Sequence, residues 1–368
     1  MTSTTIGLFV AGVLAVVGGA ELVVRGGSRF ARALGVRPLV VGLTLVAFGT
    51  SAPEIAVSVE AAVAGNAGVA LGNVAGSNIF NVLLVLGVAA IISPLVVERQ
   101  LVRMDVPVLI GVSTLPLLFG LDHRLGRIEG GILLLLGFAY AATLAFLAFR
   151  NDASTSRRKA RRSGTPDAAP REARPPTGLG PRALDLLFML VGLGALVVGA
   201  DWFIRAATEM ARAMGISDLV IGLTLVAAAT SLPELATSLM AVVRGERDLA
   251  VGNAVGSNIF NILFVLGASA AVSPDGLYVP VGALTFDLPV VLAVALACLP
   301  VFFTGWQITR WEGGVLVAYY ALYLTYLLLD ASTHDMEDEF VSMMLVFVLP
   351  LTLIMVGGGW WLGRRARE

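Results

Sequence analysis

Residues 42–54 read Gly42-Leu-Thr-Leu-Val-Ala-Phe-Gly-Thr-Ser-Ala-Pro-Glu54, and the stretch returns as Gly222-Leu-Thr-Leu-Val-Ala-Ala-Ala-Thr-Ser-Leu-Pro-Glu234. A second stretch, Gly72-Asn-Val-Ala-Gly-Ser-Asn-Ile-Phe-Asn81, returns as Gly252-Asn-Ala-Val-Gly-Ser-Asn-Ile-Phe-Asn261. Both pairs share an offset of 180 residues, which also sets Glu21 opposite Asp201 and Arg25 opposite Arg205. Self-similarity at one fixed distance means two copies of one structural unit. Both motifs carry polar residues inside an otherwise apolar run, the first with an acid in each copy, and that combination decides the reading of the whole chain.

The runs around the motifs are too long and too apolar for a water-soluble core. The 368 residues are 57% hydrophobic and only 14% charged, with a mean hydropathy of +0.87. Such a composition calls for lipid as solvent. A span of the hydrocarbon core takes roughly 20 apolar residues. Candidates fall near 5–24, 39–64, 69–93, 104–121, 128–149, 183–204, 217–243, 249–272, 280–303, 310–329 and 340–362, eleven in all. The first run lacks a basic leader and is followed by Glu21 and Arg25, so it is expected to stay as helix one. The lone Cys298 lies in an apolar run, where packing is its expected role.

The fold class is therefore all-α: a polytopic membrane protein of two inverted five-helix repeats plus one extra C-terminal helix. Five spans per copy is an odd number, so the second copy enters the membrane upside down. Residues 1–150 form the first repeat and 182–330 the second. Between them, 151–181 is rich in Pro, Arg, Ser and Ala and reads as a disordered basic cytoplasmic linker. Residues 331–368 supply an acidic outer loop, helix eleven and a basic tail. With the N-terminus outside, 21 of the 25 Lys and Arg fall on the cytoplasmic side, as the positive-inside rule requires of a cell-membrane protein. The C-terminus is then cytoplasmic. The run Arg157–Arg162 fits enforcement of that topology, with contact to anionic headgroups as the alternative.

A carboxylate at mid-membrane costs about 2.5–3.5 kcal/mol on insertion scales, so Glu54 and Glu234 need a function there. Pro53 lacks the N–H that would bond the carbonyl of Gly49, which bends the helix and frees main-chain oxygens near 49–50; Pro233 should do the same at 229–230. Thr50 and Ser51 lie four and three residues before Glu54 and share its face. Asn73, Ser77 and Asn81 recur at intervals of four on the next helix. The second copy supplies Thr230, Ser231, Glu234, Asn253, Ser257 and Asn261. The expected product is an all-oxygen cage between the repeats, where secondary transporters place their sites. Oxygen ligands without His or Cys suit a hard cation, with Ca2+ the expectation. Two carboxylates balance one Ca2+ or two Na+, so competition for one charge-limited cage would couple the two ions.

At these residues the chain resembles the Na+/Ca2+ exchanger family of the calcium/cation antiporter superfamily, above all its small prokaryotic members. Both motifs occur twice, in order, on paired helices. The resemblance implies a ten-helix core with four ion sites. In it Glu54 and Glu234 are shared between Ca2+ and Na+, main-chain oxygens of Thr50 and Thr230 serve Ca2+, and Ala47, Ser51, Ser77, Ala227, Ser231 and Ser257 flank them as Na+ sites. It also implies that helices one and six slide over the remainder, with Gly18, Gly19, Gly192, Gly194 and Gly199 as a smooth face. Family members often carry Asp where this chain has Asn261, which bears on how many Na+ are exchanged. Ala229 stands where the first copy has Gly49.

Plainer readings compete with these. The prolines can be simple kinks, and Gly, Ser and Asn can be helix-packing residues; only the paired, repeated glutamates outweigh that reading. Glu21, Arg25 and Asp201 read as snorkelling helix-end residues. Asp105 and Asp287 read as N-terminal caps, and Glu129 and Glu312 as acids suited to helix starts. H+/Ca2+ exchange is the alternative function, although proton-coupled relatives place an acid where this chain has Gly76-Ser77-Asn78; a cation channel is a further one. No enzyme motif is present. No cofactor and no nucleic-acid partner are expected, only Ca2+, Na+ and the bilayer, and the residues leave the oligomeric state open.

Overall fold

Backbone groups inside hydrocarbon must be satisfied within their own segment, which leaves helices as the available structure for a chain of this kind. The computed structural model describes residues 3–162, 179–214, 227–303 and 305–331. The first repeat holds α1 (Ser3–Leu34), α2 (Pro38–Thr50), α3 (Ala52–Val63), α4 (Ala67–Ile92), α5 (Leu101–Phe119) and α6 (Arg127–Arg162). The second holds α7 (Leu179–Ala213), α8 (Ala227–Ala229), α9 (Leu232–Val243), α10 (Arg247–Val272), α11 (Ala283–Phe302) and α12 (Arg310–Ala331). Among the described residues eight helices are long and apolar enough to cross a membrane, and the bent pair α2–α3 makes a ninth. Helices α8 and α9 lie in the described part, 227–243, of the span expected at 217–243. The expected span at 340–362 and the acidic loop before it lie outside the described residues.

Several helix boundaries differ from the sequence expectation. Helix one runs on to Leu34, so Glu21 and Arg25 sit within it and not at its end. Helix α6 continues to Arg162, and α7 begins at Leu179, so the segment expected to be disordered is helical at both edges. Ala153, Arg157, Arg158, Lys159, Ala160, Arg161 and Arg162 are mostly strong helix formers, which sustains the helix beyond its apolar part. The middle of that segment, 163–178, lies outside the described residues.

Helices α1 and α7 form the longest contact in the fold, and glycines set its register. A Cβ on Gly19 would meet the carbonyl oxygen of Gly192 at 2.7 Å, and one on Gly12 would meet that of Gly199 at 2.9 Å. One turn-pair further, Gly26 faces the carbonyl oxygen of Asp185 at 2.8 Å. The glycines of α1 recur every seven residues, the spacing of a continuous left-handed seam, and the partners run the other way along α7. Backbones meet closely only because small residues stand at the contact. Gly19, Gly192 and Gly199 therefore bind the two helices to each other. Gly18 and Gly194 have no described atom within reach of an added Cβ.

Two short antiparallel ribbons tie the repeats together at the ends of the helices. Leu95–Val96 pairs with Gln307–Ile308, and Arg124–Leu125 pairs with Leu277–Tyr278. Among the described residues five π-helical stretches interrupt the helices, at Gly42–Val46, Phe80–Leu86, Leu101–Asp105, Asn261–Leu266 and Ala283–Asp287. The stretch at Phe80 matches the one at Asn261, and the stretch at Leu101 matches the one at Ala283.

The expected N-caps are different objects. Asp105 is fully buried and sits inside α5, where Tyr140 of α6 donates to its Oδ1 at 3.0 Å. Asp287 likewise lies inside α11 and accepts from Tyr323 of α12 at 3.4 Å. An aspartate two residues before a proline looks like a cap in sequence, but here the π-helical turn carries the helix through it. Glu312 does serve a helix start: its Oε2 accepts the backbone N–H of Thr309 at 2.7 Å and the Thr309 hydroxyl at 2.8 Å.

Candidate functional site

The helix break falls at Ser51, which has φ −78° and ψ 6° and separates α2 from α3 with a bend of 44°. Ser231 breaks the second repeat with φ −90° and ψ 7°. Pro53 and Pro233 follow inside the first turn of the downstream helix, where a missing N–H costs nothing. Each glutamate therefore stands in the first turn of a new helix, Glu54 on α3 and Glu234 on α9, where the helix dipole favours negative charge.

The two breaks meet, and each glutamate is held by the opposite repeat. The Ser231 hydroxyl donates to Glu54 Oε1 at 3.0 Å, and the Ser51 hydroxyl donates to Glu234 Oε1 at 3.3 Å. Ser77 of α4 adds a longer bond to Glu54 Oε1 at 3.4 Å. The threonines cross in the same sense. Thr50 donates to Asn253 Oδ1 at 3.2 Å, and Thr230 donates to Asn73 Oδ1 at 3.0 Å. Ser257 Oγ lies 3.4 Å from Thr50 Oγ1, and the carbonyl of Ala47 lies 3.3 Å from it.

Asn73 and Asn253 owe their orientation to an outer layer. Asn73 Nδ2 donates to Ser58 Oγ at 2.9 Å and to the main-chain oxygen of Glu54 at 3.3 Å. Asn253 Nδ2 donates to Ser238 Oγ at 3.0 Å and to the main-chain oxygen of Glu234 at 3.3 Å. With both N–H groups directed outward, each amide oxygen is turned towards a threonine. Next to this layer Asn261 Nδ2 donates to Asn78 Oδ1 at 3.2 Å, and Asn258 Nδ2 donates to the main-chain oxygen of Asn78 at 3.0 Å.

Thr50, Ser51, Glu54, Asn81, Ser231, Glu234, Asn253, Ser257 and Asn261 are all inaccessible to solvent, and Ser77 nearly so. Yet the second carboxylate oxygen of both glutamates has no hydrogen-bond partner, and neither do both amide atoms of Asn81 and the Oδ1 of Asn261. Orphaned buried oxygens of this kind are costly unless something of positive charge lies against them. Among the described residues neither glutamate has a basic partner, and no cluster of three or more His, Cys, Asp and Glu exists. The chemistry on offer is two carboxylates among neutral oxygens, a donor set for a hard cation.

Of the residues singled out from sequence, Glu54, Asn73, Ser77, Thr230 and Ser231 form one hydrogen-bonded set, and Glu234, Asn253, Ser257, Thr50 and Ser51 form its counterpart around the glutamate of the other repeat. Ala47 joins the latter through its carbonyl. Asn261 belongs to the neighbouring asparagine layer, and Asn81 is buried with both amide atoms unpartnered. Ala227 opens the short α8, and its side chain lies outside the described residues. Sequence reasoning missed Ser58, Ser238, Asn78 and Asn258. All four obey the same 180-residue offset, and that was the available signal.

The sodium/calcium exchanger protein family model matches residues 4–147 and 184–329. The sodium/calcium exchanger MaX1 of Methanosarcina acetivorans is 35% identical over 342 residues, covering 86% of this chain and 96% of that protein. The inner membrane protein YrbG of Escherichia coli is 38% identical over 271 residues, covering 73% of this chain and 79% of its own. The solved structure of the sodium-calcium exchanger NCX_Mj, soaked with zero Na+ and Ca2+, superposes with a TM-score of 0.73 at 30% identity, covering 89% of this chain and 100% of that one.

Proposed function

Since the chain belongs to the sodium/calcium exchanger family and is a multi-pass calcium/cation antiporter, we infer that it exchanges Ca2+ for Na+ at the buried oxygen cage between its repeats. The observation that carries this reading is the pair of unpartnered, fully buried Oε2 atoms of Glu54 and Glu234. Two negative charges in a low-dielectric site repel each other and are brought to balance by one Ca2+ or two Na+.

In this reading Glu54 and Glu234 bind both ions. Oxygens of Thr50 and Thr230 complete the Ca2+ site, while Ser51, Ser77, Ser231, Ser257 and the carbonyls of Ala47 and Ala227 serve Na+ beside it. Asn73 and Asn253 orient the threonines, and Asn81 and Asn261 supply neutral oxygens. An ion of either kind cancels the charge of the cage and lets the protein reorient; the empty cage resists. With repeats at 1–150 and 182–330, a site between them is expected at mid-membrane. The charge distribution argues for a cell-membrane location with both the linker and the C-terminus in the cytoplasm and the N-terminus outside. Sodium is favoured over protons because hydroxyls and amides, and no third acid, surround the glutamates.

Uptake of radiolabelled Ca2+ into proteoliposomes tests the reading. Vesicles loaded with Na+ should take up Ca2+, vesicles loaded with K+ should not, and the Glu54→Gln protein should be inactive in both. Uptake driven by a pH gradient without Na+ would make the counter-ion a proton.

A further inference from the structure

The two repeats contain one turn in duplicate whose side chains differ in charge. Val63-Ala64-Gly65-Asn66-Ala67 joins α3 to α4, and Val243-Arg244-Gly245-Glu246-Arg247 joins α9 to α10. Their backbones match. Gly65 and Gly245 have φ +78° and +79°, and the N–H groups of Asn66 and Glu246 both bond the carbonyl five residues earlier at 2.8 Å. The matched geometry is an internal control, because only the side chains distinguish the two turns.

The charged turn is fastened to α1. Glu21 of α1 accepts from Arg244, with Nε 2.8 Å from its Oε2 and a second bond from Nη2 to Oε1, and it also pairs with Arg25. Arg32 of α1 reaches Glu246 Oε1 at 3.3 Å. Arg247 of the turn donates to the carbonyl of Pro94 at 3.1 Å. The carboxylates are partly buried, Glu21 at 19% and Glu246 at 23% exposed, while Arg244 and Arg32 reach solvent at 46% and 61%, so each pair is individually weak and the clasp depends on both acting together. At the other face the equivalents of Glu21, Arg25 and Arg32 are Asp201, Arg205 and Arg212 of α7. The turn that corresponds to the charged one offers Ala64 and Asn66, which carry no charge. Asp201 pairs within α7 with Arg205 at 2.8 Å, and Thr5 of α1 donates to Glu209 of α7 at 2.7 Å. Neither contact reaches the turn.

We propose that Glu21 and Arg32 with Arg244 and Glu246 form a one-sided clasp that holds the transporter closed at its arginine-rich face and so sets its resting orientation. The proposal rests on alternating access at the cage, as inferred above. Helix α1 lies against α9, which carries Glu234, and a route from the cage to the arginine-rich face opens only when α1 leaves the 244–246 turn. Opening there breaks the ion pairs to the 244–246 turn, for which Ala64 and Asn66 of the corresponding turn offer no counterpart. The resting population is then weighted towards access from the face opposite the arginines. Apparent affinity for an ion presented at the arginine-rich face is lowered by the fraction of molecules open there.

The test converts each turn into its counterpart. In full-length protein in oriented proteoliposomes, saturation of Ca2+ flux is measured from each face for wild type, for Arg244→Ala with Glu246→Asn, and for Ala64→Arg with Asn66→Glu. Removing the clasp should raise apparent Ca2+ affinity at the arginine-rich face severalfold and lower it at the other. Building one on the opposite turn should shift the ratio of the two affinities in the reverse direction. A ratio unmoved in both variants, or equal changes at both faces, would overturn the clasp while leaving the exchange reading intact. Absence of saturable Ca2+ flux in the wild type would overturn the exchange reading, and the clasp with it.

Discussion

The hydroxyl of Ser231 donates to Glu54 at 3.0 Å although the two residues are 177 positions apart and belong to opposite repeats. Its mirror, Ser51 to Glu234, spans 183 positions at 3.3 Å. Neither repeat can assemble its own carboxylate site alone. The chemistry exists only where the two copies interlock, which is why a duplicated unit suits a single central site.

Removing the Ser51 hydroxyl takes from Glu234 Oε1 its crossing donor, and removing that of Ser231 leaves Glu54 Oε1 with the longer bond from Ser77. A hydrogen bond to a charged group contributes about 1.5–3 kcal/mol, so Ser231→Ala and Ser51→Ala should each weaken apparent Ca2+ affinity by about tenfold to a hundredfold. Calcium titration of the purified proteins measures this. Losses in the same direction are expected for the two variants, because the two bonds cross between the repeats in the same sense.

Ser58 and Ser238 touch no carboxylate, yet they fix the amides that face the threonines. Ser238→Ala leaves Asn253 Nδ2 with the main-chain oxygen of Glu234 alone and should cost about 1 kcal/mol. The expected result is a severalfold weaker Ca2+ affinity, about as large for Ser58→Ala, with transport still driven by Na+. Initial rates against Ca2+ concentration check it.

The seam between α1 and α7 should tolerate no added volume at its centre. A Cβ on Gly192 would lie 2.7 Å from the carbonyl oxygen of Gly19, so Gly192→Val forces the backbones apart and should destabilise the protein by about 1–3 kcal/mol. Gly194, which has open space among the described residues, should accept alanine with little change. Thermal unfolding in detergent, followed for both variants, separates the two cases.

Asn261→Asp places a third carboxylate in the asparagine layer. The Asn261 amide now donates to Asn78 Oδ1 at 3.2 Å, and an ionised aspartate would set two acceptors against each other unless a cation lay between them. The variant should be less stable than wild type without ions and should gain more stability from Na+. The unfolding midpoint as a function of Na+ concentration tests this, with K+ as the control.

Much of the site was legible because its residues appear twice. For any single serine or asparagine in an apolar helix, packing is the ordinary explanation; the fixed offset raised Glu54, Ser51, Thr50, Asn73 and Ser77 above it. Ser58 and Ser238 obeyed the same offset but lay on the far side of Asn73 and Asn253, and a helical repeat alone does not say which polar residues bond each other. Asp105 was misread because Asp followed by Pro is a common helix-start pattern, and only the π-helical turn and Tyr140 of another helix reveal a buried acid. The crossing of serines between repeats and the pairing of Glu21 with Arg244 were beyond sequence reading altogether. They depend on contacts between segments more than a hundred residues apart, which local patterns do not encode. Glycine spacing in α1 was noticed as a smooth face; its role as the contact with α7 follows from the register of both helices.

The most direct test of the cage is equilibrium binding of radiolabelled Ca2+ to the purified wild type, Glu54→Gln and Glu234→Gln proteins, with Na+ and K+ as competitors. Wild type should bind Ca2+ and release it to Na+ but not to K+, and either substitution should abolish binding, since one carboxylate cannot balance a divalent ion in a buried site. Full Ca2+ binding by either glutamine variant, or displacement by K+ as effective as by Na+, would contradict the account.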